Sequence, residues 1–244
     1  MKKILNIVLF VSLTSSGLTQ TSKLARVNEF VDAAGTIGSS RGSAAVSYVY
    51  NWRAGQKRKW EIGIGGRITS SLGTKQEYTT AAPARLTRTN TIPFIIVFAG
   101  QKYENWDTLT VQRPLVNSLN LTANFGYNFN TRWSGGFNID LIGFSFGRKT
   151  AAILTSNGIT RTEAAAKPAG FNVLLTGDFD YGSLNSEFFL KYKLNSRWSL
   201  RGIYQFLFTE YKTTSIKQTA PDGTEIDRFR SKQNNLGASI SYQL

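Results

Sequence analysis

From Leu119 to Phe129 the side chains alternate without a break: Leu119, Leu121, Ala123, Phe125, Tyr127 and Phe129 fall on one side, Asn120, Thr122, Asn124, Gly126 and Asn128 on the other. Only an extended strand sorts residues with a period of two. Here the sorting separates an apolar side from one of small polar groups. The division recurs. Trp133, Gly135, Phe137, Ile139, Leu141 and Gly143 oppose Ser134, Gly136, Asn138, Asp140 and Ile142, and Phe188, Leu190, Tyr192 and Leu194 oppose Glu187, Phe189, Lys191 and Lys193. Trp198, Leu200, Tyr204, Phe206 and Phe208 oppose Ser199, Arg201, Ile203, Gln205 and Leu207. Trp60, Ile62, Ile64 and Ile68 oppose Glu61, Gly63, Gly65, Arg67 and Thr69, and Val46, Tyr48, Tyr50 and Trp52 oppose Ser47, Val49 and Asn51. The last strand sets Leu236, Ala238, Ile240, Tyr242 and Leu244 against Gly237, Ser239, Ser241 and Gln243, and an opening strand over 24–37 completes the series.

The strand ends decide what the apolar side faces. Tyr192 to Ser199 reads Tyr-Lys-Leu-Asn-Ser-Arg-Trp-Ser, and Tyr127 to Ser134 is a close copy, Tyr-Asn-Phe-Asn-Thr-Arg-Trp-Ser. A looser copy joins Tyr50-Asn51-Trp52 to Lys59-Trp60-Glu61. Tyr50, Trp52, Trp60, Tyr127, Phe129, Trp133, Tyr192, Trp198 and Tyr242 therefore crowd one end of the strands, as an interfacial aromatic girdle does. Segments of about ten residues cross hydrocarbon when tilted. A soluble sandwich also alternates, but its apolar side points inward and it has no reason to gather aromatics at one rim. The pattern predicts an all-β, antiparallel, up-and-down transmembrane β-barrel.

The turns after Trp52, Phe129 and Leu194 are short, whereas 72–115, 148–183 and 213–231 are long and polar. This predicts short periplasmic turns and long extracellular loops, with Gly38 to Gly42 a brief outer turn. With both termini on the short-turn side, four descending strands need four ascending ones, giving eight. The apolar runs Pro93 to Ala99 and Phe171 to Thr176 extend the barrel above the membrane, cap it, or add a pair and make ten strands.

Lys2-Lys3, the apolar run Ile4 to Leu13 and the small residues Ser15-Ser16-Gly17 have the layout of a secretory signal peptide over 1–19, leaving 20–244 as one barrel domain. The alternative, a short buried helix, fits poorly at the very start of a chain. With no cysteine and no histidine, disulfides, thiolate chemistry, imidazole bases and a Ser-His-Asp triad are all excluded. The net charge of +14 is spread over turns and loops, among them Lys57, Arg58, Lys59, Arg132, Arg197, Arg85, Arg148 and Lys149, rather than gathered into a nucleic-acid patch. Membrane lipid, with its head-group phosphates, is the acidic partner this arrangement suits.

On the inward side, Arg67, Asp140 and Glu187 each stand seven residues from Trp60, Trp133 and Leu194, while Lys191 and Arg201 stand three from Leu194 and Trp198. These heights predict an internal charged network. Paired carboxylates could do acid–base work, and Arg67 could hold a developing anion. However, an eight-stranded barrel is only wide enough for side chains to fill it, so the expected role is structural. Asp178-Phe179-Asp180-Tyr181-Gly182 departs from a calcium-loop pattern and reads as a polar turn. Gly63 to Gly66 and Gly135-Gly136 lie within strands, not at the strand-to-helix turn a phosphate loop needs. No metal, cofactor or catalytic residue is expected.

The signal peptide, the repeated Tyr-x-x-Asn-x-Arg-Trp-Ser hairpins and the terminal Ile240-Ser241-Tyr242-Gln243-Leu244 strand resemble the small outer-membrane β-barrel proteins of Gram-negative bacteria. The resemblance implies residence in the outer membrane and handling by the barrel-assembly machinery, which in that family reads a terminal aromatic. Here leucine ends the chain and the aromatic stands two residues earlier. The expected function is non-enzymatic: a structural or interaction protein whose outer loops contact lipid, lipopolysaccharide phosphates or a protein partner, without nucleic acid. The alternative is a small pore or transporter for a polar or amphipathic solute.

Overall fold

The computed structural model describes residues 24–92, 95–175 and 179–244. The expected signal peptide lies outside them, as does Asp178. Strands β1 (Val27–Ile37), β2 (Arg41–Ala54) and β3 (Trp60–Gly73) form a meander, and β3 runs on into β4 (Lys75–Thr80). The chain returns through β5 (Thr108–Gln112) and β6 (Leu115–Asn128), then climbs through β7 (Trp133–Gly147) and β8 (Thr150–Ser156). It descends through β9 (Ile159–Pro168), β10 (Phe171–Val173) and β11 (Leu184–Lys193) and rises again in β12 (Trp198–Lys212). A small hairpin of β13 (Gln218–Thr219) and β14 (Glu225–Ile226) precedes the final β15 (Arg228–Gln243).

Every pairing is antiparallel, and the outer edge of the sheet traces a ring of twelve strands. The long β12–β15 pairing, from Trp198↔Tyr242 to Lys212↔Arg228, bridges that ring and divides it into two circuits. The lower circuit runs β1-β2-β3-β6-β7-β11-β12-β15 and back to β1. The upper runs β4-β5-β8-β9-β12-β15 and back to β4. The segments expected to be long loops thus contain strands, β4, β5, β8 and β9, that continue the barrel upward. Of the two extra apolar runs, Ile95–Phe98 forms a 3-10 turn and Phe171–Val173 forms the short β10 against β7.

The two circuits have opposite polarity. In the lower one the large apolar side chains point outward: Trp60, Ile62, Ile64, Ile68 and Leu72 of β3 are all exposed, while Glu61, Arg67, Thr69 and Ser71 are buried. In the upper one the apolar residues turn inward. Tyr78, Leu109, Val111, Ala152, Leu154, Ala166, Tyr211 and Phe229, with Val116 beneath them, form one buried core. Because side chains alternate strictly, an irregular residue is needed to carry the apolar row from one face to the other. It comes at Gly73-Thr74 between β3 and β4, at Arg113-Pro114 between β5 and β6, and at Gly147 to Lys149 between β7 and β8. Arg113 adopts a left-handed φ of 47°, a conformation a non-glycine residue seldom takes. Its neighbourhood is fixed by the Gly73 N–H donating to Pro114 O at 3.2 Å.

A β-bulge changes one sequence expectation within β7. Leu121 pairs with Ile142 but Thr122 with Asp140, so Leu141 is the extra residue. Above it the alternation slips by one: Ile142, Phe144 and Phe146 face outward and Gly143 and Ser145 inward, the reverse of the expectation for Ile142 and Gly143. The space inside Gly143 is already filled, since a Cβ there would clash with the Asn120 side-chain oxygen. Phe208, expected on the outer face, is buried, with the Arg230 guanidinium 5.0 Å from its ring centroid.

The loops above the core are tied down by one carboxylate. Glu163 is fully buried and accepts N–H groups of Ala165 at 3.0 Å, Thr214 at 3.1 Å, Ser215 at 2.8 Å and Ile216 at 3.0 Å, together with the Thr214 hydroxyl at 2.8 Å. Burial alone would raise its pKa, but the donors outweigh it and hold the group at about 2, against an ordinary 4.5. With the folded value depressed, this tether is complete above pH 4.5 and is lost as the pH falls toward 2. The protection of residues 214–216 against amide exchange, taken relative to the intrinsic rate at each pH, is therefore expected to fall over that pH window. Glu163→Gln should show the lowered protection already at neutral pH; unchanged protection in that variant would contradict the assignment.

Candidate functional site

The lower barrel is filled in layers. Nearest the short turns, Glu61 accepts bonds from Asn28 at 2.8 Å, Asn51 at 3.2 Å, Arg53 at 2.8 Å and Asn128 at 2.9 Å. Above it lies the charged layer. Arg67 on β3 donates through Nε to Asp140 at 3.0 Å, pairs with Glu187 at 3.0 Å, and also reaches Asn138 at 2.7 Å and the Asn185 carbonyl at 2.9 Å. Arg201 on β12 pairs with Asp32 at 2.6 Å and with Glu187 at 3.4 Å. Higher still, Gln205 binds Thr36 at 2.7 Å and Asn235 at 2.7 Å, and Arg41 meets the Tyr78 hydroxyl at 2.9 Å and the Thr209 hydroxyl. Tyr78 and Tyr211, ring centroids 5.2 Å apart, belong to the upper apolar core that closes the column.

Four of the five residues expected in the network, Arg67, Asp140, Glu187 and Arg201, thus come together. Lys191 does not join them by hydrogen bond; its ammonium sits 3.6 Å from the centroid of the Phe30 ring. The sequence reading missed Asp32, which takes Arg201 and the hydroxyls of Ser239 at 2.9 Å and Ser241 at 2.6 Å. It also missed the amides that complete each carboxylate, such as Asn120 on Asp140 at 2.7 Å and Asn138 on Glu187 at 3.2 Å. Asp32 was hidden because β1 alternates weakly, in Val-Asp-Ala-Ala-Gly, with no apolar row to mark its inward side. With Lys191 counted, three cations balance three carboxylates.

Asp140 and Glu187 are committed to arginine and amide donors, and Asp32 to Arg201 and the hydroxyls of Ser239 and Ser241, with the apolar core lying above them. Among the described residues no cluster of acidic side chains is arranged to hold a metal. Asp180, in the turn that the sequence reading dismissed as a calcium loop, accepts the Leu175 N–H at 2.7 Å.

At the short-turn rim, the aromatics of the girdle pair across strands. Trp60 meets Tyr127 at 4.8 Å, Trp133 meets Tyr192 at 4.8 Å and Trp198 meets Tyr242 at 4.9 Å, each pair directly opposite in register; Tyr50 and Trp52 stack within one strand at 5.0 Å. Phe129 tilts against Tyr127 at 5.7 Å. The repeated motif also has a mechanical explanation. Asn130 Oδ1 accepts the N–H groups of Arg132 and Trp133, both at 2.8 Å, and Asn195 Oδ1 accepts those of Arg197 and Trp198, both at 2.9 Å. The asparagine closes the turn on itself, and the tryptophan it fixes begins the next strand.

No family model matches the chain, and no curated protein does. Among solved structures it aligns with Neisserial surface protein A at 8% identity and a TM-score of 0.37, over 90% of this chain and 98% of that one. It aligns with Ail, the attachment invasion locus protein of Yersinia pestis, in complex with the heparin analogue sucrose octasulfate, at 10% identity and 0.30, over 88% and 96%. A major outer membrane protein from Thermus thermophilus aligns at 10% and 0.37, over 89% and 99%. The matches are small outer-membrane β-barrels of Gram-negative bacteria. Their scores are low, and the architecture stands on the strand pairings above.

Removing one partner from a buried ion pair costs about 3–5 kcal/mol, because the remaining charge stays desolvated. Arg67→Met would leave Asp140 and Glu187 facing each other without their shared cation. It is expected to lower markedly the temperature at which the folded, heat-modifiable band is lost on gels. A band as heat-resistant as that of the unaltered protein would contradict the structural role.

Proposed function

We propose that the chain is an integral outer-membrane barrel that spans lipid with the eight strands of its lower circuit and acts without catalysis, as a structural or interaction protein working through its outer end. The observation that carries this reading is the reversal of polarity between the two circuits. A polar interior beneath an apolar exterior is stable only where hydrocarbon surrounds it. An apolar interior with a polar exterior belongs in water. On this reading the outer boundary of the membrane falls at Gly73-Thr74, Arg113-Pro114 and Gly147 to Lys149, and the inner one at the aromatic girdle. The upper circuit then stands outside the cell, the short turns lie in the periplasm, and residues 1–19 act as the removed export signal ahead of a barrel of 20–244.

Charge supports the same placement. Just above the exposed Leu72, Phe144 and Phe146, the side chains of Lys75, Arg113, Arg148, Lys149 and Lys167 are exposed, a cationic ring at the height of outer-leaflet head groups. Phosphates of lipopolysaccharide are the natural partner for it. Tyr242, two residues before the final leucine, gives the barrel-assembly machinery an aromatic in the last strand.

The layered interior and the core above it disfavour the pore alternative, since they leave no continuous aqueous path. Refolded protein in a planar bilayer is expected to insert without conductance. Sustained single-channel steps would restore the pore reading and defeat this one.

A further inference from the structure

The upper circuit carries a recess that the closed barrel does not need. It has a volume of about 460 Å³ and lies between the top of β4, the top of β15 and the segment that follows the short helix Ala84–Thr87. That size falls within the range of small-ligand pockets, about 300–1,000 Å³. Its wall combines three kinds of group. Tyr103 and Trp106 form an aromatic pair with centroids 5.2 Å apart, and Tyr103 leaves 68% of its surface open. Gln76 and Gln101 line it with amides, and Thr79, Thr80 and Thr87 with hydroxyls. Lys232 and Glu77 bring one charge of each sign, and Arg230 is paired with the buried Glu210 at 3.0 Å.

Two polar atoms in this wall are unsatisfied. The Thr87 hydroxyl and the Trp106 indole N–H are both buried and have no hydrogen-bond partner among the described residues, whereas a buried polar atom ordinarily has one. Both belong to residues that line the recess. A hydrophobic ligand would leave them unpaired, and a bare anion would make no use of the aromatic platform. A molecule with an apolar ring face and a rim of hydroxyls would satisfy both demands.

We propose that this recess binds a saccharide, whose ring stacks on the Tyr103–Trp106 pair while its hydroxyls bond with Thr87, Trp106 Nε1 and the wall amides. The proposal deepens the reading of the upper circuit as the interacting end of the barrel, and names the class of partner that this end recognises.

The chain offers its own reporter. Of its five tryptophans, Trp52, Trp60, Trp133 and Trp198 lie at the opposite rim, so Trp106 is the one placed to sense the recess. Detergent-refolded protein would be titrated with 3′-sialyllactose, a hyaluronan tetrasaccharide and neutral lactose, followed by tryptophan emission and by calorimetry. A saturable response is expected, weakened about tenfold in Tyr103→Ala, the loss that one ring's stacking predicts. Thr87→Val, which keeps the side-chain shape, should weaken binding while leaving the heat-modifiable band unchanged. No saturable response to any of the three sugars, or binding indifferent to both substitutions in folded protein, would overturn the proposal. Because the titration is done in detergent, its result is independent of membrane orientation, and a failure here would leave the reading of the barrel to its own test.

Discussion

In hydrocarbon a strand has no water to satisfy its backbone, so every N–H and C=O must be given to a neighbouring strand, and a sheet can meet that demand all round only by closing. Here closure rests on the pairing of β1 with β15, Phe30↔Gln243 through Ile37↔Leu236. It brings the two ends of the sequence side by side. Once the ring is shut, the remaining choices follow. The inside is narrow, so small residues and amides fill it. The charges that do enter must be met on the spot: Arg67 and Arg201 pair with Asp32, Asp140 and Glu187, and Lys191 brings the third positive charge. Such a network is not a source of great stability, because desolvation offsets much of the attraction. Its effect is to fix register, since a one-residue slip of β3 would carry Arg67 out to the apolar face.

Continuing the same strands beyond the membrane poses the opposite problem. Water surrounds the sheet, so the apolar row has to move inside. The chain makes this exchange with single irregular residues at the boundary, and drops β1, β2 and β11 from the circuit as it does so. The narrower upper ring can be filled by large side chains, and Tyr78, Tyr211 and Phe229 fill it. One consequence is a closed top to the lumen. Another is a platform at the end of the barrel away from the aromatic rim, on which the short helix, the β13–β14 hairpin and the recess beside Tyr103 are mounted. The Glu163 carboxylate, with its five donors, ties the loop at 214–216 to that platform.

What the sequence made legible was whatever repeats with period two and ends on an aromatic. The long strands, the girdle from Tyr50 to Tyr242 and the inward placement of Arg67, Asp140, Glu187 and Arg201 follow from alternation alone. The bulge at Leu141 was not legible, because one extra residue in an otherwise regular strand leaves no mark in composition. The upper circuit was hidden for a related reason. In β4 and β5, Lys-Gln-Glu-Tyr-Thr-Thr and Thr-Leu-Thr-Val-Gln place only one or two apolar residues per strand, and these look like polar loops until neighbouring strands bring Tyr78, Leu109 and Val111 together. Asp32 shows the limit at single-residue scale, a buried carboxylate in a strand too rich in alanine and glycine to reveal its faces.

The account depends most on the change of surroundings at the junction of the two circuits. The chain has no cysteine, so single cysteines can be introduced cleanly and spin-labelled. Labels at Ile64, Leu119 and Phe144 on the lower outer face, and at Glu77 and Gln112 on the upper, would be examined in liposomes for collision with oxygen, which concentrates in lipid, and with a water-soluble nickel chelate. The lower three should collide with oxygen and be shielded from nickel, and the upper two should do the reverse. Equal access of nickel to both sets would place the lower barrel in water and contradict the account at its centre.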